Sequence, residues 1–226
     1  MPDKPIILLF IKAPVKGRVK SRLASSIGEE AALEVYGNFI HDSIDTVEKS
    51  GYPYRICYYP FADRAALSGL PGRESSFMPQ EGNDLGARME NAFLRTFAEG
   101  FTSAVLIGSD IPDLPVGVFF GAFDALKKND VVIGPAGDGG YYLIGFNKDS
   151  FFPGIFHGMT WSTGKVFQET MGRLNEASLR VHRALLWKDV DTLDDLRALF
   201  ERNGSTAFQK SKTMAYLAGN KTRFFR

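Results

Sequence analysis

Six consecutive apolar residues, Ile6-Ile7-Leu8-Leu9-Phe10-Ile11, stand near the start of the chain with no polar residue among them. A strand with one wet face alternates apolar and polar positions. An unbroken run needs cover on both faces, as in a parallel sheet flanked by helices. The run is too short for a signal-peptide core or a membrane span. Directly after it come Lys12, Lys16, Arg18, Lys20 and Arg22, five cations within eleven residues that hold no acid. A buried strand that opens into a cationic, Pro- and Gly-containing loop is the first constraint on both fold and chemistry.

The rest of the chain repeats the alternation. Glu29 to Lys49 carries Ala32, Val35, Tyr36, Phe39, Ile40, Ile44 and Val47 at helical spacing. The patterning predicts strands at 54–59, 75–78, 104–107, 131–133, 141–146 and 180–186. It predicts helices at 63–67, from Asp84 through Phe97, at 116–126, 163–174 and 192–200, the last with Thr192 and Asp195 in capping-box spacing. Residues 12–22 read as a loop. Strands alternating with helices argue for an α/β protein with a mostly parallel sheet. A length of 226 residues fits one domain over 1–203 and a basic C-terminal extension at 204–226. There the periodicity fades, and from Arg202, just before it, to Arg226 six basic residues meet no acid. The extension reads either as a solvated tail or as a basic flap near an anionic ligand.

Composition removes several classes of function. A hydrophobic content of 44% excludes a mainly disordered chain. A net charge of +1 gives no pointer to nucleic acid or an acidic membrane. The single cysteine, Cys57, excludes an internal disulfide framework and a Cys-rich metal site. A soluble, cytoplasmic protein is expected.

In open α/β sheets ligands bind outside the carboxyl ends of the strands. The cationic loop leaves such an end, and arginine clasps phosphate with two parallel hydrogen bonds. The loop is neither a Walker loop nor a Gly-x-Gly-x-x-Gly turn, which argues against a P-loop ATPase or a dinucleotide dehydrogenase. After the central strand comes Gly108-Ser109-Asp110-Ile111-Pro112-Asp113. Asp110 at a strand end suits a hard divalent cation or simply closes a turn. Asp189 and Asp191 share a face in an extended segment and could approach one metal, or they could favour the dipole of the following helix. The Gly-rich stretch 134–142 presents Asp138 beside Tyr141 and Tyr142, or forms a hairpin turn. Trp161-Ser162-Thr163 and the stretch 80–86 are polar segments of similar ambiguity, and Ser162 or Thr163 could simply cap the next helix. His41, His157 and His182 show no ligand spacing, and no Ser-His-Asp or Cys-His arrangement can be argued.

Five motifs in order carry a resemblance over about residues 4–200: FIKAPVKGRVKSRL at 10–23, GSDIPDL at 108–114, GPAGDGGYYLIG at 134–145, WST at 161–163 and DVDT at 189–192. Together they resemble a bacterial uncharacterised family of glycosyltransferase-A-like, or arsenosugar-biosynthesis-type, glycosyltransferases. The resemblance implies a nucleotide-diphosphosugar transferase fold, an α/β/α sandwich, and an enzyme acting on a nucleotide-sugar or nucleotide and a small-molecule acceptor. It implies that Asp110, Asp189 and Asp191 hold Mg²⁺ or Mn²⁺. By the same resemblance Lys12, Arg18, Lys20 and Arg22 hold the phosphates, and the stretch from Gln80 to Arg88, with Gln80 and Asp84 as its candidates, approaches the base or ribose. Gly139, Gly140, Tyr141, Trp161 and Thr163 frame the sugar or acceptor. Asp110 and Asp138 are the catalytic candidates, Asp138 orienting or deprotonating an acceptor hydroxyl.

Two departures keep three functions in view. The first loop lacks the Gly-rich signature of sugar-phosphate nucleotidyltransferases. Ser109 precedes Asp110, where many metal-dependent glycosyltransferases have Asp-x-Asp. The Lys20-Ser21-Arg22-Leu23 run resembles the phospholactate guanylyltransferase branch. The expectations are a metal-dependent glycosyltransferase, a nucleotidyltransferase releasing pyrophosphate, or a non-catalytic nucleotide-binding protein.

Overall fold

The computed structural model describes residues 3–72 and 76–225. Among them, seven strands form one sheet: β1 (Pro5–Lys12), β2 (Tyr54–Tyr59), β3 (Phe77–Pro79), β4 (Ser103–Gly108), β5 (Val131–Pro135), β6 (Tyr141–Asn147) and β7 (Val181–Arg183). Their order is β3-β2-β1-β4-β6-β5-β7. β6 runs antiparallel to both neighbours, and the other pairings are parallel. The α-helices of the described residues are α1 (Ser21–Ile27), α2 (Glu29–Lys49), α3 (Leu85–Ala98), α4 (Gly117–Leu126), α5 (Val166–Glu176), α6 (Leu193–Arg202), α7 (Lys212–Gly219) and α8 (Lys221–Phe224).

The apolar run of β1 behaves as its sequence requires. Ile7, Leu9 and Ile11 face the core shared with α1, α2, α4, α6, α7 and α8. Ile6, Leu8 and Phe10 face the core shared with α3 and α5. Helices on both faces of the sheet make the expected α/β/α sandwich. Under α3 the second core is aromatic: Phe93 packs edge-on to Phe146 at 5.3 Å between ring centroids, with Phe151 at the same distance.

Four expectations are adjusted. The loop at 12–22 ends in a helix, α1, from Ser21. The strand expected at 75–78 starts outside the described residues; of its remainder, Phe77 and Met78 fall within β3 and Ser76 precedes it. The helix expected from 163 starts at Val166, and Thr163 donates its hydroxyl to the Thr160 carbonyl instead of capping it. The solvated tail is docked. Asp42 of α2, which is buried, accepts from the backbone N–H groups of Lys212 at 3.0 Å and Thr213 at 2.9 Å, while Met214, Leu217 and Phe224 enter the core. Its described cations stay exposed on the outer side, and none of its described residues lines the cleft discussed below. No helix among the described residues is long and apolar enough to cross a membrane.

Candidate active site

The carboxyl ends of β1 and β4 and the start of β6 open onto one cleft of about 710 Å³. Three backbone connections hold its acidic rim together. Trp187 N–H donates to the Pro135 carbonyl at 3.1 Å, Ala136 bridges to Trp187, and Val190 N–H donates to the Asp110 carbonyl at 2.9 Å. The strand-end motif at Asp110 and the segment carrying Asp189 and Asp191 are therefore tied main chain to main chain.

Lys20 lies at the centre of this rim. Its Nζ is 2.6 Å from Asp110 Oδ1 and 2.9 Å from Asp191 Oδ1, and it donates to the Val190 carbonyl at 2.6 Å. The side chain is 3% exposed. Three acceptors satisfy the three donors of the ammonium. Burial works to lower its pKa, but the two carboxylates outweigh it and hold Lys20 above its ordinary value. Lys20 adopts φ +49°, a left-handed conformation that costs energy for a residue with a Cβ. The ion pairs hold it there. Arg22, at the start of α1, places Nη2 2.5 Å from Asp191 Oδ2. Burial alone would raise Asp191, yet Lys20 and Arg22 keep it below the usual carboxylate range. Among the described residues Asp189 meets no such cation: burial, with the Asp138 carboxylate and then Asp191 and Asp110, pushes it up to about 6.

The other walls come from neighbouring strand ends and loops. Gln80 donates its amide to the Cys57 carbonyl at 2.7 Å and the Ile11 carbonyl at 3.2 Å, so it stitches β1 to β2 while lining the cleft. Asp138 accepts from Gly140 N–H at 2.8 Å. Its loop is pressed onto the segment before α5. Gly139 has φ +88°, and a Cβ there would stand 2.2 Å from the Gly164 carbonyl oxygen. Trp161 packs over the first turn of α3, where a Cβ on Gly86 would meet its Cζ2 at 2.7 Å. Lys12, Gly140, Tyr141 and Thr163 also line the cleft. Arg18, Asp84 and Gly139 do not. Arg18 pairs with Asp63 at 2.8 Å on the surface, and Asp84 caps α3 by accepting from Ala87 N–H at 2.8 Å.

Sequence reasoning missed the supports behind these residues. Tyr36 of α2 accepts from Lys12 N–H at 2.9 Å and lies 3.0 Å from Ser109 Oγ, so it joins α2 to two strand ends. Arg88, the end of the stretch expected to approach the base or ribose, was not singled out as a support; it stacks its guanidinium 4.0 Å from the Tyr59 ring centre in the cleft wall. Asp113, three residues past Asp110, is buried and accepts from Arg202 Nε at 2.7 Å, Arg202 Nη2 at 3.0 Å, Asn203 Nδ2 at 2.8 Å and Trp187 Nε1 at 3.1 Å. The second acid of the GSDIPDL motif was the available signal for the last of these. Tyr36 sat at a core position of a helical pattern and gave none.

In donor chemistry the rim suits a hard divalent cation. Asp110, Asp189 and Asp191 supply carboxylate oxygens, and the mutual repulsion that helps raise Asp189 is what a bound cation relieves. Among the described residues, however, no three His, Cys, Asp or Glu side chains already converge as a ligand set. Asp110 and Asp191 converge on Lys20.

An α/β/α sheet with one reversed strand, and a cationic loop facing carboxylates at the strand ends, defines the nucleotide-diphospho-sugar transferase fold. A protein from Desulfovibrio desulfuricans, provisionally assigned as a nucleotide-diphospho-sugar transferase, superposes with a TM-score of 0.93. The two are 39% identical over 97% of this chain and 96% of that one. More distant likenesses show the fold alone. Rv0371c from Mycobacterium tuberculosis has a TM-score of 0.54 at 17% identity, over 89% of this chain and all of that one; it is also known as a manganese complex. The 4-diphosphocytidyl-2C-methyl-D-erythritol synthase of Anaerococcus prevotii has a TM-score of 0.54 at 12% identity, over 85% of this chain and 94% of that one. No curated protein matches the chain. The chain belongs to the family of uncharacterised proteins conserved in bacteria, DUF2064, whose profile matches residues 44–163.

Proposed function

We propose that this protein is a metal-dependent glycosyltransferase that takes a nucleotide-diphosphosugar donor and passes the sugar to a small-molecule acceptor. One observation carries the reading: Lys20, at the end of the β1 loop, and Arg22, at the start of α1, meet the strand-end Asp110 and Asp191 of the segment before α6 inside the cleft. Breaking the anomeric C–O bond leaves charge on a diphosphate, and fixed cations aimed at that charge stabilise the transition state. Lys20 and Arg22, with Lys12 on the same rim, do this here. A divalent cation held by Asp110 and Asp191, with Asp189 beside them, would add Lewis-acid neutralisation of the same diphosphate. Asp138 is fixed by the Gly140 N–H and faces the cleft next to Tyr141; it orients the acceptor hydroxyl and takes its proton. Gln80 is held rigidly between β1 and β2 and meets the base or ribose, and Trp161 and Thr163 frame the sugar. The 39% identical Desulfovibrio protein supports the donor class.

A second reading is nucleotidyl transfer, in which a phosphorylated acceptor attacks the α-phosphate of a nucleoside triphosphate. The Lys20-Ser21-Arg22-Leu23 run supports it through its resemblance to the phospholactate guanylyltransferase branch, and the same rim of cations and carboxylates would serve this reaction too. The product separates the two. The protein is incubated with nucleotide-sugars or nucleoside triphosphates, Mn²⁺ and an acceptor panel that includes arsenosugar precursors. Nucleoside diphosphate supports glycosyl transfer and pyrophosphate supports nucleotidyl transfer. Nucleotide binding without either product would sink both enzymatic readings.

A further inference from the structure

The phosphate-binding cations and the metal-binding carboxylates of the proposed site neutralise one another. Lys20 has all three donors engaged, two by Asp110 and Asp191, and Arg22 takes the second oxygen of Asp191. Two positive charges face two negative ones; Lys20 is cut off from water, so its pairs with Asp110 and Asp191 are screened less than the exposed Arg22–Asp191 pair. A bare divalent cation would place its charge against Lys20 and Arg22. A metal-free diphosphate would place its charge against Asp110 and Asp191. Either ligand alone must open the ion pairs of the buried Lys20 and leave one partner uncompensated, which is the costly way to open such a pair. The two together exchange partners: the cation takes the carboxylates, the diphosphate takes Lys20 and Arg22, and no charge is stranded.

We propose that Lys20 is an internal cation seated between Asp110 and Asp191, and that the site therefore accepts a metal–diphosphate chelate while rejecting either component alone. Building on the nucleotide-site reading above, this adds that metal does not bind first. The β1 loop supplies the moving part. Lys20 holds a left-handed backbone at the start of α1, where no side chain caps the helix; its carbonyl accepts from Ala24 N–H at 2.8 Å, and the ion pairs, with the Val190 carbonyl, hold its ammonium.

Equilibrium ultrafiltration of the full-length protein tests this. Retained Mn²⁺ is measured alone, with inorganic pyrophosphate, and with each of five nucleoside diphosphates; retained diphosphate is measured with and without Mn²⁺. The expected result is that a diphosphate tightens Mn²⁺ binding about tenfold or more, and that Mn²⁺ tightens diphosphate binding by the same factor. Lys20→Met should bind Mn²⁺ alone about tenfold more tightly than the natural protein, with the coupling reduced. Arg22→Gln, at an exposed side chain, should shift both in the same direction by less and serves if Lys20→Met does not fold. Wild-type protein that retains Mn²⁺ equally well with and without diphosphate overturns the proposal, and leaves the nucleotide reading standing if diphosphates still bind. Retention of neither ligand in any combination overturns both.

Discussion

Asp113 never reaches the cleft, yet it sets the position of what does. Its carboxylate gathers Arg202, Asn203 and Trp187, residues 89, 90 and 74 positions away in sequence. Trp187 in turn starts the segment that carries Asp189 and Asp191. Removing one partner of a buried ion pair leaves the other charge uncompensated, so Asp113→Ala is expected to cost about 3 kcal/mol, read as a lower urea midpoint with an unchanged slope. Asp110→Ala should behave in the opposite way. Its side chain is 50% exposed and Lys20 keeps Asp191 and the Val190 carbonyl as acceptors. The fold should survive while the metal-dependent thermal shift with nucleotide disappears; an undiminished shift would remove Asp110 from the proposed site. The two acids are three residues apart in one motif, and the sequence made Asp110 legible because strand ends of α/β sheets face ligands. It could not reveal the partners of Asp113, because hydrogen bonds across such separations leave no local pattern.

Elements were legible where the signal was local and lost where it was tertiary. The capping box of α6 was read from spacing alone, and it forms: Asp195 N–H donates to Thr192 Oγ1 at 3.2 Å, and Thr192 N–H to Asp195 Oδ2 at 2.9 Å. Thr192→Ala should therefore cost about 1 kcal/mol, whereas Thr192→Ser, which keeps the hydroxyl, should lose little in the same denaturation series. Helix α1 was hidden because its first turn lies in a cationic stretch and its start is fixed by long-range ion pairs instead of a cap. The β5–β7 edge carries a pairing of the same long-range kind. Arg180 grips Asp130 through its backbone N–H at 2.8 Å, Nε at 3.0 Å and Nη2 at 3.1 Å. The Arg180 side chain, followed by its backbone N–H, holds the Asp130 carboxyl below the usual range. A depressed carboxylate stabilises the fold above its unfolded pKa of about 4, and that stability is lost as pH falls through the lower folded value. The melting temperatures of the natural protein and Asp130→Asn should differ by a constant small amount from pH 6 to 8 and converge in strong acid. A gap that widens toward low pH would contradict the assignment.

At the scale of the whole molecule the least legible part was the C-terminal segment, where two short helices and a run of cations masked the apolar positions. Helices of eight and four residues are too short to announce a period, and α8 owes its place to what it touches. Asp42 of α2 caps the start of α7 from outside, Leu217 and Phe224 complete the core on the α2 face of the sheet, and Met214 is buried as well. A boundary after residue 203 would strip those three side chains from the core. Burying each contributes roughly 1.5–3 kcal/mol, so the loss approaches the roughly 5–15 kcal/mol that holds a typical domain together. A chain ending at residue 203 is therefore expected to be insoluble, or to unfold at a much lower urea concentration than the full chain. Asp42→Ala in the full chain should show a milder form of the same defect, with proteolysis entering first between residues 204 and 212. A truncated chain with the natural midpoint would instead make the segment a separable extension, and the cations on its outer surface would then have to be explained by a ligand instead of by the fold that carries them.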